Sequence, residues 1–437
     1  MNCLHVPGIW MPNEESDLYK WSVVACDQYT SQPEYWKESE EMVGEAPSTL
    51  HMILPEVYLG SEEEEVRIDR IHNVMDSYLA DGTIQELPKG FMLVERSFGG
   101  QYSRNGLVVE VDLETYEYKK GSTSLIRPTE MTVEERIPPR LKVRQTASVE
   151  LPHIMLLIDD PDCSIIEPLT QKTDAFRKVY DTDLMQGGGH ISGWLIPEGE
   201  FTADIMRKIE NLADPEAFQN KYQVTAECPL LNLAVGDGNH SMATAKAAWE
   251  NIKKDLTEEE RAVHPARYCL CEIVNVHDKS LEIEPIHRVM FGVQEEEFLA
   301  AMVTYYEEHG CEVNVREGDR APYADAEHHV FSVYNGTDTQ CVEVVHPVWG
   351  IAAATIQNFL DDYLLQHPEC KIDYIHGEDT VKDLSKREGN IGILLPDVEK
   401  KDLFIGVVKD GVLPRKTFSM GEANEKRYYM ECKKLTV

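Results

Sequence analysis

Residues 231–245 read LNLAVGDGNHSMATA. The apolar run from Leu231 to Val235 carries the chain into Gly236-Asp237-Gly238-Asn239-His240, and a small-residue helix pattern starts at once near Ser241. A strand, a glycine turn and a helix start in that order gather unpaired backbone N–H groups and the positive end of a helix dipole at one point. An anion is the natural guest there. Asn239, His240 and Ser241 add side-chain donors where a phosphate or carboxylate would sit. The G-x-G spacing alone is a weak signal, because strand–helix turns often need positive φ without binding anything.

Working outward, strand and helix patterns interleave along the whole chain, predicting an α/β (mixed α+β) protein with mixed sheets. Ser31-Gln-Pro-Glu34 reads as a capping box opening a helix through about Met42, and a longer helix fits Glu62 to Leu79. Phe91–Phe98 and Leu107–Leu113 read as a hairpin around Gly99-Gly100. Strands are expected at Ile154–Ile158, Ile191–Ile196 and Tyr268–Val276, with helices at Phe201–Leu212 and Ser241–Leu256. The last third predicts helices at Glu295–Glu308 and Ala353–Leu365, and strands at Val342–Val345 and near Ile372, Ile393 and Phe404. With no repeat or long linker, residues 1–437 read as one unit. A seam near 290–320 would divide a core (1–290) from a C-terminal α/β portion (320–437).

The composition closes off several classes. A formal charge of -36, from 42 Lys+Arg against 78 Asp+Glu, opposes nucleic acid and an anionic membrane surface alike. It would also repel small anions, so an anion site in this chain needs local cations. The N-terminus MNCLHVPGIWMPNEESD lacks the basic and apolar regions of a signal peptide, and no apolar run is long enough to span a bilayer. The ten cysteines are scattered without a C-x-x-C pair, so there is no zinc, haem or iron–sulfur signature. Buried reduced thiols in a cytoplasmic protein are the expectation. Cys269 and Cys271 would share one side of their strand.

Local cations are concentrated in one place. Arg127, Arg136, Arg140, Lys142 and Arg144 fall within a single segment of this acidic chain. They read either as an anion clamp, since arginine forks match phosphate and carboxylate, or as a helix surface pairing with Glu130, Glu134 and Glu135. Pro285-Ile-His287-Arg288, after a strand, offers a further ligand contact or a plain surface pair. Leu413-Pro-Arg-Lys416-Thr-Phe418 is a basic turn of little meaning alone. Asp27, at the end of a short apolar run in Ala25-Cys-Asp-Gln-Tyr29, would serve as a base or as an Asx-turn residue. There is no G-x-S-x-G, Walker A or H-E-x-x-H.

These segments, in this order, resemble the bacterial and archaeal family catalogued as domain of unknown function 1015. Its D-G-H-H-R turn corresponds to Asp237-Gly238-Asn239-His240-Ser241, followed by Ala243 and Ala245. Its H-E-x-T segment corresponds to Arg127-Pro-Thr-Glu130 with Arg136 and Arg140, and its P-T-H-R strand end to Pro285-Ile-His287-Arg288. Pro414-Arg-Lys416-Thr-Phe418 matches a late P-x-K-S-T-x-F turn. Ala46-Pro47-Ser48-Thr49 with Pro55-Glu56 matches an N-terminal N-P-S-S-F segment running to P-E. The resemblance spans essentially the whole chain. Asn239 replaces the first His of the motif and Ser241 its Arg, which removes the best bidentate phosphate partner.

The glycine turn is also similar to that of the ParB and sulfiredoxin-like fold, whose members handle nucleotides and include kinases of free serine. That resemblance implies phosphoryl transfer or nucleotide hydrolysis with ATP or ADP and Mg²⁺, for example a kinase of a small hydroxylated metabolite such as serine. Gly236 to Ser241 would hold phosphates, and Arg127, Arg136, Arg140, His287, Arg288 and Lys416 would supply positive charge. Asp27 or Glu130 would take the hydroxyl proton, with His240 and Asp237 completing the catalytic set and Asp237 also holding Mg²⁺. The alternative is a binding or regulatory protein that uses the same cradle for an anionic metabolite without chemistry. The Asn239 and Ser241 replacements favour it.

Overall fold

The hairpin pattern at residues 91–113 folds as the centre of a nine-stranded sheet. The computed structural model describes every residue except 1, 2, 101, 322, 323, 415 and 437, and of residue 401 the backbone only. It divides into two units, one of residues 1–128, 132–281 and 421–437, the other of residues 129–131 and 282–420.

In chain order the strands of the first unit's sheet are β1 (Leu4–His5), β2 (Gly90–Ser97), β3 (Ser103–Asp112), β4 (Ile126–Pro128), β5 (Met155–Ile158), β6 (Arg177–Asp183), β7 (His190–Pro197), β8 (Leu233–Asp237) and β9 (Tyr268–Asn275). They lie in the order β4-β8-β5-β9-β3-β2-β7-β6, and β1 pairs with β3 beyond the point where β2 leaves it. β8 runs parallel to β4 and β9 parallel to β5, while the other pairs are antiparallel, so the sheet is mixed.

Alternation along β2 explains why both faces are covered. Phe91 and Leu93 join one core with Leu107, Val109, Cys269 and Cys271, while Met92 and Val94 join the other with Val108 and Leu270. Sheets buried on both faces need near-continuous apolar strands, and β2, β3 and β9 have them. Helix α1 (Pro33–Val43) and helix α2 (Glu64–Ala80) close the second face, α2 through Ile68, Ile71 and Met75 at helical spacing. On the first face lie α4 (Glu200–Asn211) and α5 (Asn239–Ile252), and α3 (Ile137–Arg144) packs on α5. Met242, Ala245 and Trp249 anchor α5, and burying a side chain as large as Trp249 contributes about 1.5–3 kcal/mol.

The last residues return to this unit. Arg96, buried in the second face, donates to the carbonyls of Gly188, Asn424 and Lys426. Arg427 bridges the buried carboxylates of Glu272 and Glu431 and donates to the Pro152 carbonyl at 3.0 Å.

The second unit holds a six-stranded antiparallel sheet of β10 (His287–Phe291), β11 (Glu312–Glu317), β12 (His328–Tyr334), β13 (Thr339–Val345), β14 (Lys371–Ile375) and β15 (Asn390–Leu394), in the order β11-β13-β12-β15-β10-β14. Helices α6 (Glu295–Glu308) and α7 (Ala352–Gln366) meet through Phe298 stacked edge-on against Phe359 and Tyr363.

Several local expectations are corrected. Helix α1 begins at Pro33 behind Gln32, which makes no side-chain cap, so the capping box from Ser31 does not form. Phe404 is not in a strand but in helix α8 (Lys400–Asp410). There Leu403, Phe404, Val407 and Val408 are buried at helical spacing, and so short an apolar run does not distinguish the two by pattern. The segment 130–144 is helical only from Ile137, after a short 3-10 turn at Glu134–Arg136. Its cations pair outside the segment, Arg140 with Glu56, Lys142 with Glu64 and Arg144 with Glu150, not with Glu130, Glu134 or Glu135. None of the ten cysteines is in a disulfide. Among the described residues no helix is long and apolar enough to cross a membrane.

Candidate active site

The glycine turn is tighter than its sequence implies. β8 continues through Gly236, which sits at a bulge opposite Leu156 and Met155, and ends at Asp237. Helix α5 already begins at Asn239, leaving Gly238 alone to turn the chain at φ 80° and ψ 26°. A Cβ on Gly238 would lie 3.0 Å from the Ile154 Cα, so both the left-handed backbone and the close approach require glycine. Asn239, His240 and Ser241 therefore occupy the first helical turn, where backbone N–H groups have no acceptor within the helix. The Asn239 Oδ1 is buried without a partner.

Around that turn the first unit gathers a polar cluster. His240 Nε2 accepts from the Val133 N–H at 3.3 Å, which leaves the ring proton of the neutral form on Nδ1. Burial first, then the Arg140 and Arg136 guanidiniums, push this imidazole down to about 4, so it is uncharged at neutral pH. The Ser241 Oγ lies 2.7 Å from His153 Nε2, and the Tyr429 hydroxyl lies 2.8 Å from His153 Nδ1. Tyr429 accepts the Cys26 N–H at 3.1 Å, so its own proton is available to His153, and the His153 Nε2 proton then faces Ser241 and Asp27. Asp27 Oδ2 is 3.9 Å from that nitrogen.

Two carboxylates in the cluster are driven apart. Burial pushes Asp27 up, but His153, Gln28 and Lys426 outweigh it and hold Asp27 below the usual carboxylate range. Burial raises Glu56, although Arg140 pairs with it and pulls the other way. Opposed shifts in neighbouring carboxyls are a common mark of acid–base assignment. The Lys426 Nζ stands 3.4 Å from Asp237 Oδ2, so that carboxylate is engaged by an ammonium. No group of three or more His, Cys, Asp or Glu suited to a metal ion occurs among the described residues.

Of the residues singled out in the sequence, Asp27, Arg136, Arg140, Asp237, Gly238, Asn239, His240 and Ser241 meet in this cluster, with Gly236 behind them in β8. Arg127 takes part by no described contact. It is 3% exposed, and its guanidinium donates to the carbonyls of Ser122 and Pro229. Glu130, His287, Arg288 and Lys416 belong to the second unit. There Glu130 accepts from the Thr417 N–H at 3.2 Å and burial raises its carboxyl. His287 and Arg288 lie within β10 and are buried. His287 accepts from the Leu395 N–H at 3.1 Å, and the Arg288 guanidinium sits over the Tyr374 ring. Lys416 is exposed at φ 60°, and residue 415 of the same basic turn lies outside the described residues.

Sequence reasoning missed Glu56, His153, Lys426 and Tyr429 as parts of the site. Glu56 carried a signal in Pro55-Glu56. Tyr429 and Lys426 carried none, because they arrive from the far end of the chain.

The family model described as protein of unknown function, DUF1015, matches residues 7–363. No curated protein matches the chain. Among solved structures the chain is similar to a mutant free serine kinase in complex with ADP, at 10% identity and a TM-score of 0.35, covering 75% of this chain and 92% of that one. It is similar also to a conserved hypothetical protein from Pyrococcus furiosus, at 10% identity and TM-score 0.35, covering 75% and 95%. A third is SbnI with C-terminal truncation from Staphylococcus aureus, at 12% identity and TM-score 0.33, covering 76% and 86%.

Proposed function

The chain belongs to this DUF1015 family of proteins of unknown function, and from its own geometry we propose that it transfers a phosphoryl group from a nucleotide, ADP or ATP, to the hydroxyl of a small metabolite. One observation carries the reading. An ionised, partly exposed carboxylate, Asp27, stands in the same cluster as an uncapped helix start flanked by Arg136 and Arg140. The N–H groups of Asn239, His240 and Ser241, with the arginines, would bind the transferred phosphate and the charge that develops on it. Asp27 would accept the proton as the acceptor oxygen bonds to phosphorus and the bond to the leaving nucleotide oxygen breaks. Neutral His240 would add a donor through Nδ1 without competing for the proton.

Magnesium would reach this site on the nucleotide phosphates, with Asp237 as its one carboxylate ligand. For that Lys426 has to release Asp237. The same ion pair favours a second reading, in which the cluster binds an anionic metabolite or nucleotide without turnover.

Thermal shift of the full chain against ADP, ATP and inorganic phosphate, with and without Mg²⁺, separates these readings when followed by ³¹P NMR of mixtures with hydroxyl acceptors, serine first. Transfer should appear, and Asp27→Asn should keep nucleotide binding while losing about 10²–10⁴-fold in rate. Binding without transfer supports the second reading. If neither nucleotide nor phosphate stabilises the protein, both readings fall.

A further inference from the structure

A cavity of about 130 Å³ opens behind the cluster within the first unit. Glu56, Arg140, His153 and Ser241 line its polar end, and Met52, Leu54, Met75, Val143, Leu151 and Leu270 line the rest. The one other charged pair on its wall, Arg144 with Glu150, is closed on itself. Glu150 also accepts the Leu270 N–H, so this pair offers the cavity no free charge. Met52, Leu54, Met75 and Leu270 are buried core residues that leave this space between α2, α3 and the sheet.

An apolar cavity of about 150 Å³ stays dry and takes up a six-carbon ring such as benzene. A hydroxyl group of serine size, placed at Asp27, would leave the apolar end empty. Resting on the phosphoryl-transfer reading of the cluster, we infer that the acceptor is amphiphilic, with its hydroxyl or phosphorylated end at the α5 N-terminus. A hydrocarbon group of about five carbons would fill the cavity. The specificity residues of this assignment are Val143 and Leu151, which line the cavity and are only half-buried.

The test uses the full chain and a series of phosphate monoesters, from inorganic phosphate through methyl, propyl, pentyl and heptyl phosphate, titrated calorimetrically. Affinity should rise about fourfold per methylene up to pentyl and then level off. Val143→Phe should flatten the series while leaving inorganic phosphate bound as before, and Val143→Ala should move the plateau to a longer chain. Inorganic phosphate binding with no dependence on chain length in the wild type overturns the cavity assignment and leaves the phosphoryl-transfer reading standing. Absence of binding by every member of the series overturns both. The wild-type series decides the matter even where a Val143 variant fails to fold.

Discussion

His240 shows how one side chain is set by its neighbours. Its ring is half-buried, it faces two guanidiniums, and its Nε2 is taken by a backbone N–H, all of which disfavour the protonated form. We expect its ring resonances to titrate near pH 4 by NMR, and a midpoint near 6.5 would contradict the arrangement. Because the folded-state pKa is depressed, its contribution to stability is present above the unfolded value and is lost as pH falls from about 6.5 toward 4. His240→Ala should abolish phosphate binding with the circular dichroism spectrum intact, whereas loss of the fold would make the residue structural. Glu56 has the opposite sign. Its raised carboxyl favours the fold below the unfolded pKa, and that contribution is lost as pH rises. Removing its partner in Arg140→Ala should raise it further, so the variant's melting temperature should fall short of wild type by more at pH 8 than at pH 5. An equal deficit at both pH values would mean the pair carries no charge coupling.

At the scale of the element, strand β8, Gly238 and helix α5 form one device. The bulge at Gly236 re-aims Asp237, Gly238 turns in a single residue, and α5 is anchored by Met242, Ala245 and Trp249 so that its first turn is held at the cluster. Gly238→Ala should destabilise the protein by about 1–2 kcal/mol for the left-handed backbone alone, with further cost from the contact with Ile154. Denaturant midpoints measure it, together with weaker anion binding as the first turn shifts. A change below a few tenths of a kcal/mol would show that the turn tolerates a side chain. The strand–turn–helix order was legible in residues 231–245 because period, glycine and small residues agree there. The start of α5 was placed two residues late, since nothing local says that Asn239 and His240 adopt helical angles.

For the whole molecule, the final residues decide the site. Lys426 and Tyr429 are brought to Asp237 and His153 by a segment that Arg96 and Arg427 tie down with buried bonds. Removing residues 421–437 should therefore unfold the first unit. It removes Arg427 together with Glu431 and leaves the buried carboxylate of Glu272 without its guanidinium, a loss of about 3–5 kcal/mol before any lost packing is counted. Circular dichroism and denaturant unfolding of the truncated chain test this, and an unchanged unfolding transition would show the segment to be an accessory. The boundary between the units falls after Leu281, and the chain leaves and re-enters the first unit near residues 129–131 and at Gly421. A break of that kind has no compositional mark.

The sequence by itself determined the mixed α/β character, the inner strands of the first unit's sheet, the longer helices apart from α8, the glycine turn and the loop bearing Asp27. Each is written in local periodicity or in a residue whose backbone preference is strong. Only the tertiary structure decided which charged residues meet. Arg136 and Arg140 reach His240, while Arg127 from the same segment spends its guanidinium on backbone carbonyls, and His153, Glu56, Lys426 and Tyr429 complete the cluster. Charge pairing and burial depend on contacts between residues 84 to 276 positions apart, and those carry no period along the chain.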